Sequence, residues 1–243
     1  VIYRARERQM SYGRPIGILT LDERIPCPPG TPGNPTTFSH PIIYEVVKGV
    51  DISSLQRLND PDSSQSFLDA AGVLVDKGVS AIAGNCGLMI VHQAALARAF
   101  PVPVLMSSLL LLPLIARLIG PGAKVGLIAS NAKGLKHEHL ALAGGAETPV
   151  AIATMEGRPR FSAAVGAQSG VLDFEKVEAE VVDVARGLVA DHPSVSAILM
   201  ECVDLPPYAH AVQEAVVLPV FDITTLIGLA VGAVVRRPFA GVY

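Results

Sequence analysis

The sequence predicts an α/β protein of two pseudo-symmetric lobes, each a parallel sheet covered by helices on both faces, with a site in the cleft between them. Three observations carry this. The first is a repeat. Val79–Cys86 (VSAIAGNC) returns as Val195–Cys202 (VSAILMEC), an offset of 116 residues that continues without a gap through Ala95/Ala211, Ala99/Ala215, Pro103/Pro219 and Val104/Val220. Nine of the 26 positions from 79 to 104 are identical at that offset. The second is the alternation of short apolar runs with helical stretches, which marks strands buried on both faces of a parallel sheet. The third is composition. Half of the 243 residues are hydrophobic and 17% are charged, enough apolar material for two lobes of about 100 residues each.

Taken in order, Pro15–Thr20 (PIGILT) reads as a first buried strand. Residues 21–41 form a long loop rich in Pro and Gly, and a loop of that length in a compact domain is often a lid or binding loop. Ile42–Val47 reads as a strand. Asp60-Pro61 has the form of an N-cap followed by proline in the first helical turn, and the helix it opens should run to about Lys77, where Gly78 ends it. Ala81–Gly84 is a short strand, Leu88–Ala99 a helix, Val104–Met106 a strand and Leu109–Ile119 a helix. After the break at Pro121-Gly122 the pattern restarts with the strand Lys124–Ala129, the helix Leu135–Ala143 and the strand Val150–Met155. Residues 157–172 look irregular, and Asp173 caps a long helix to about Ala190. Ala197–Met200, Tyr208–Ala215, Val220–Phe221 and Thr225–Val235 close the repeat as strand, helix, strand, helix. The lobes divide as 1–119 plus 224–243 and 120–223, the last helix returning to the first lobe.

Several function classes lose support from the composition and motifs. The net charge of −3, the absence of a basic stripe and the absence of Trp argue against a nucleic-acid partner. Mean hydropathy is positive, but Leu109–Ala116 carries Pro113 and Thr225–Val235 is too short for a membrane span, which needs about 20 residues. Residues 1–8 are charged and hold no apolar signal-peptide core. Three cysteines, an odd number, make no disulfide framework, so free thiols in the cytoplasm are expected. No GxGxxG, Walker A or GxSxG pattern occurs, and none of the six lysines is marked as a Schiff-base residue. No cofactor and no metal are implied. The partner expected is a small carboxylate-containing substrate, and a homo-oligomer stays open.

The chemistry concentrates on Cys86 and Cys202. A lone cysteine is usually a buried small hydrophobe. Two at matching strand ends of a duplicated unit instead suggest a thiol on each side of a shared site, an arrangement suited to moving a proton between the faces of a carbon. Each lies just after a strand and before a helix, where ligands bind in open α/β sheets and where a helix N-terminus should lower a thiol pKa. Cys27 lacks a counterpart in the second half and reads as incidental. His137-Glu138-His139 has the wrong spacing for a helical metal pair and reads as a solvated helix surface. The other histidines, His92 and His210 among them, read as surface or half-buried. Thr20, Asn85, Ser107, Ser108, Ser130, Asn131, Thr224 and Thr225 gather at strand ends, where hydroxyl and amide donors suit a carboxylate ligand. Asp204 is either a helix cap or a charge partner for the thiol or substrate.

With both cysteine strands placed, Gly84-Asn85-Cys86-Gly87 and Glu201-Cys202-Val203-Asp204-Leu205-Pro206-Pro207-Tyr208-Ala209 resemble the aspartate/glutamate/hydantoin racemase superfamily. PVLMSSLLLLPLI, KVGLIASN and PVFDITTLI are similar to that group as well, and the resemblance covers roughly residues 15–235. It implies two flavodoxin-like three-layer lobes and cofactor-independent racemisation or epimerisation of an amino acid or related carboxylate, with Cys86 and Cys202 as the catalytic pair. By the same resemblance Asn85, Ser130 and Asn131 help hold the substrate carboxylate, and Gly87, Val203 and Asp204, next to the two cysteines in the chain, are expected to line the site with them. Glutamate racemases carry Asp-Ser after the first strand, where this chain has Thr20-Leu21-Asp22, and Thr-His after the second cysteine, where it has Val203-Asp204. Those departures speak against glutamate as substrate. Arylmalonate decarboxylases resemble the chain but lack the first thiol, so the presence of Cys86 disfavours decarboxylation. A maleate-type cis–trans isomerase, a hydantoin racemase and a non-catalytic acid-binding protein are the alternatives.

Overall fold

The computed structural model describes all residues except 1, 3, 6, 8, 10, 57–59, 133, 242 and 243. Eight strands appear among them: β1 (Ile16–Thr20), β2 (Ile42–Val46), β3 (Ala81–Gly84), β4 (Val104–Leu105), β5 (Lys124–Ala129), β6 (Val150–Thr154), β7 (Val195–Met200) and β8 (Val220–Phe221). They form two four-stranded sheets, ordered β2-β1-β3-β4 and β6-β5-β7-β8. Every pairing is parallel. The second order is the first advanced by four strands, so the repeat seen in the sequence is a repeat of the whole sheet. Strand order reverses at β1/β3 in one sheet and β5/β7 in the other, the places where a crevice opens beyond the strand ends.

The helices are α1 (Ile52–Leu55), α2 (Pro61–Asp76), α3 (Gln93–Ala99), α4 (Leu112–Ile119), α5 (His137–Leu142), α6 (Pro159–Phe161), α7 (Phe174–Asp191), α8 (Ala209–Val216) and α9 (Ile223–Val234). The two long ones start as expected. The Asp60 carboxylate accepts the Ser63 N–H of α2, and Asp173 accepts the Lys176 N–H of α7. Phe67, Ala70, Ala71 and Leu74 are buried along α2, and Val177, Val181, Val184 and Leu188 along α7. That three-and-four spacing turns one stripe of each helix to its sheet. At Gly78, φ is +88°, a left-handed stop that glycine adopts without strain. Gly17 and Gly126, at equivalent places in β1 and β5, leave room for the side chains of Leu74 and Leu188, which a Cβ would meet at 2.8 and 3.0 Å.

One apolar cluster joins the lobes. It contains Ile16, Ile18, Ala81 and Ala83 of the first sheet and Val125, Leu127, Ala197 and Leu199 of the second, together with Leu112 and Ile115 of α4 and Ile223, Ile227 and Ala230 of α9. The Asp222 carboxylate caps α9 through the Thr225 N–H at 3.0 Å. No helix among the described residues is long and apolar enough to cross a membrane.

Three departures from the sequence reading bear on the site. The segments expected as helices after Cys86, Ser107 and Leu205 open as 3-10 turns, at Gly87–His92, Ser108–Leu111 and Pro206–Tyr208. Residues 157–172 are partly ordered, with α6 running into a π-helical turn at Ser162–Gly166. The four-residue helix α1, which had no clear apolar period, is capped by Asp51 through the Ser54 N–H at 2.9 Å.

Candidate active site

Cys86 follows β3 and Cys202 follows β7, and both face one cavity of about 260 Å³. Pockets of about 300–1,000 Å³ take drug-sized ligands, so this one suits a small molecule. Around the thiols stand Asn85, Gly87, Ser130, Asn131, Val203 and Asp204, all anticipated from the sequence. Thr20 lies in an adjoining hollow with Cys27 and Tyr44. Ser107 and Ser108 are buried away from the cavity. Ser107 caps its turn through the Leu109 N–H, and the Ser108 hydroxyl donates to the Met200 carbonyl at 2.9 Å, tying the first lobe to the end of β7. They hold the frame of the site and do not line it.

The loop at 21–41 lies across the cleft. Arg24 N–H donates to Gln168 Oε1 at 3.0 Å in the second lobe, and Gly30 packs against Pro207. Internal bonds hold its shape: Gly30 N–H to Thr37 Oγ1, Thr37 Oγ1 to the Thr31 carbonyl, and the Tyr44 hydroxyl to the Pro32 carbonyl. Its Glu23 and Ile25 enter the cavity wall. Ile52 and Gln56 around α1, and Phe161, Ser162, Val165, Gly166 and Gln168 from the second lobe, line it as well. Sequence reasoning did not select these, since they reach the site only through long-range packing. Cys27 is exposed.

The repeat extends to the sulfurs. The backbone N–H of Leu88 points to the Cys86 sulfur and that of Asp204 to the Cys202 sulfur, residue i+2 in each copy. The Cys202 thiol also donates to Asp204 Oδ2 at 3.6 Å. The copies differ in charge. Where the first has Asn85 and Leu88, the second has Glu201 and Asp204. Glu201 is 3% exposed, and the Ser130 N–H donates to it. A Cβ on residue 87 would collide with its carboxylate, so Gly87 is what lets Glu201 sit beside the Cys86 turn.

The thiol environment corrects one expectation. Helix N-termini were expected to lower the thiol pKa values, yet burial holds both well above the usual thiol range. For Cys86, Glu201, Glu23 and Asp204 add to the rise; for Cys202, Asp204, Glu201 and then Cys86 do so. The physical reason is that six- and three-residue 3-10 turns align few peptide dipoles, whereas both thiols are buried and the carboxylates share their cavity. The carboxylates are raised too. Burial first, then Asp204, brings Glu23 and Glu201 to about 7, and burial brings Asp204 to about 6 against the opposing Cys202 hydrogen bond. Glu156 also lines the cavity, and among the described lining residues there is no Lys, Arg or His. Among the described residues no cluster of His, Cys, Asp or Glu could hold a metal ion.

The histidines also depart from the sequence reading. His139 is fully buried, not a solvated helix surface, and its Nδ1 accepts the Lys136 N–H at 2.9 Å. His92 is 3% exposed, set between Ser63 and Ser64. His137 and His210 are exposed.

No protein-family model matches the chain. A dimethylsulfoniopropionate lyase of Durusdinium sp. clade D is 34% identical over 212 residues, which make up 85% of this chain and 70% of that protein. The chain belongs to the dimethylsulfoniopropionate lyase family. Dimethylsulfoniopropionate lyases 3 and 6 of Emiliania huxleyi (strain CCMP1516) are each 32% identical over 237 residues, 93% of this chain but 61% of theirs. This lyase-family chain thus spans less than two thirds of those two relatives. Among solved structures, a glycine-to-cysteine mutant of arylmalonate decarboxylase has a TM-score of 0.66 at 17% identity and covers 92% of this chain and 94% of its own. Allantoin racemase from Pseudomonas fluorescens has a TM-score of 0.64 at 13% identity, covering 94% of this chain and 100% of its own. A glutamate racemase isoform of Bacillus anthracis has 0.56 at 12%, covering 91% and 81%. The lyase-family chain therefore has the two-lobe fold of the aspartate/glutamate racemase superfamily.

Proposed function

We propose that this protein is a lyase that eliminates a sulfide from a sulfoniopropionate-type substrate, with Cys202 as the base. The carrying observation is a pair of thiols facing one small cavity in a chain of the dimethylsulfoniopropionate lyase family. The isomerase expected from the motifs shares the first step, removal of a proton from the carbon next to a carboxylate. The two reactions part at the second step. Racemisation by two bases needs an acid on the opposite face. Elimination needs one base and a leaving group.

Cys202 is favoured as the base because its thiol already donates to Asp204. As Asp204 takes the S–H proton, the sulfur removes the Cα proton and returns to thiol. The former C–H electron pair forms the carbon–carbon double bond, and the carbon–sulfonium bond breaks with its pair going to the departing sulfide. The products are a neutral dialkyl sulfide, an unsaturated carboxylate and one proton, which Asp204 passes to solvent. Asn85, Ser130 and Asn131 supply the amide and hydroxyl donors that hold the substrate carboxylate. Ile25, Phe161 and Val165 provide apolar walls that limit water.

The test is sulfide release by headspace gas chromatography, with the alkenoate followed by proton NMR, using dimethylsulfoniopropionate. The two products should appear in equal amounts. Cys202→Ala should lower turnover by roughly 10²–10⁴-fold, the usual weight of a positioned base, while Cys86→Ala retains measurable elimination. No release from a folded wild-type protein, together with loss of the Cα–H signal of an amino acid in D2O that needs both cysteines, would return the protein to the racemases.

A further inference from the structure

The lining of the cavity is chemically one-sided. Glu23, Glu156, Glu201 and Asp204 face it, and no described cationic side chain does. Glu201 is almost fully buried and takes a backbone N–H, with no ion pair among the described residues. An ionised carboxylate in such a place needs a positive partner. The same space is bounded by Phe161, Val165 and Leu88. Acidic groups beside apolar and aromatic walls suit a cation that is alkylated and cannot donate hydrogen bonds.

We infer that Glu201 and Asp204, with Glu23 closing over them from the loop, form a subsite for the positive end of an onium carboxylate, accepting sulfonium and quaternary ammonium alike. This deepens the proposed function and rests on it for the identity of the ligand. It has a consequence for chemistry. Burial first, and then the carboxylates around them, raise the pKa of both thiols. A cation seated against the carboxylates offsets their field, so the thiol loses its proton more easily once substrate is bound.

The test separates charge from shape. Binding of 3-(trimethylammonio)propionate, whose amine is a poor leaving group, is compared by titration calorimetry with that of 4,4-dimethylpentanoate, the isostere with an uncharged tert-butyl end. The subsite predicts at least a tenfold preference for the cation at about pH 8, equivalent to about 1.4 kcal/mol. Glu201→Gln and Asp204→Asn should each shrink that preference while leaving the isostere's affinity within about twofold. Binding of the cation, but not of the isostere, should raise the ultraviolet absorbance of thiolate. Equal binding of the two compounds by wild type overturns the subsite, as does a preference that survives in both variants. Glu23→Gln serves where one of those variants does not fold. Because the ammonium compound is not the cleaved substrate, the outcomes stay distinct. A retained preference without sulfide release sinks the lyase reading alone, and release without any preference sinks the subsite alone.

Discussion

Gly87 shows how a single missing side chain organises the site. It sits directly after one cysteine and against the residue before the other, and a Cβ there would also press on the Glu201 carbonyl, at 2.5 Å. The contact crosses the cleft, so an added methyl could be relieved only by moving Glu201 or by parting the lobes. Overpacking of this kind costs about 1–3 kcal/mol. Gly87→Ala is therefore expected to lower the melting temperature modestly and to raise the KM for an onium substrate by about tenfold or more, while a carboxylate ligand without the onium group is affected less. Steady-state kinetics beside a thermal melt would check this. Unchanged KM in a folded variant would mean that Glu201 does not touch the substrate.

Among the elements, legibility in the sequence depended on which forces are local. β3 and β7 were visible because a doubly buried strand is a short apolar run, and α2 and α7 because Asp60 and Asp173 announce their caps. The turns after the cysteines were not. They lie where the lobes meet, Gly87 against Glu201 and Pro207 against Gly30, contacts that no local pattern announces, and the expected lowering of the thiol pKa failed with the 3-10 geometry. The acidic wall escaped for a similar reason, since Glu23, Glu156 and Glu201 are far apart in the chain and meet only in the folded cleft. His92 belongs at this scale too, because it ends the turn that follows Cys86 and pins it to α2. Its Nε2 and Nδ1 lie 3.1 and 3.3 Å from the Ser63 and Ser64 hydroxyls, and its ring stacks on Phe67 at 4.1 Å. Burial lowers its pKa to about 4, against the opposing charge of Asp60. The unfolded chain takes up that proton near the ordinary histidine value of about 6.5. Its stabilisation is thus complete above that value and is lost as the pH falls through about 4. His92→Gln should lose roughly 1–3 kcal/mol less stability than wild type between those limits in denaturant titrations. A pH-independent difference would show that the imidazole is not held neutral.

For the whole molecule, the two copies of the fold are equal in topology and unequal in charge, and the inequality should appear in the pH dependence of stability. Glu201 and Glu23 keep their protons to about pH 7 in the fold, whereas in the unfolded chain they ionise near the ordinary carboxylate value of about 4.3. Between those limits the native state binds more protons, so their contribution to stability falls as the pH rises and stays low above about 7. His92 works in the opposite sense, as do the buried or half-buried His40 and His139, whose pKa values burial also lowers. The overall profile of wild type is therefore a poor measure. The difference between Glu201→Gln and wild type is a better one, because the histidine contributions occur in both and cancel, while Glu23, Asp204 and the thiols respond in the same direction once the central charge is gone. Melting temperatures should diverge in favour of Glu201→Gln between about pH 5 and pH 8, by roughly 5 °C for a chain of this size. Excess 3-(trimethylammonio)propionate should close much of that gap by stabilising wild type more, since its cation would pair with the Glu201 carboxylate. A gap that stayed constant with pH would show that Glu201 is not ionised at the cost of the fold. Glu201 would then bear its charge without penalty, and the cleft would have no preference for positive charge.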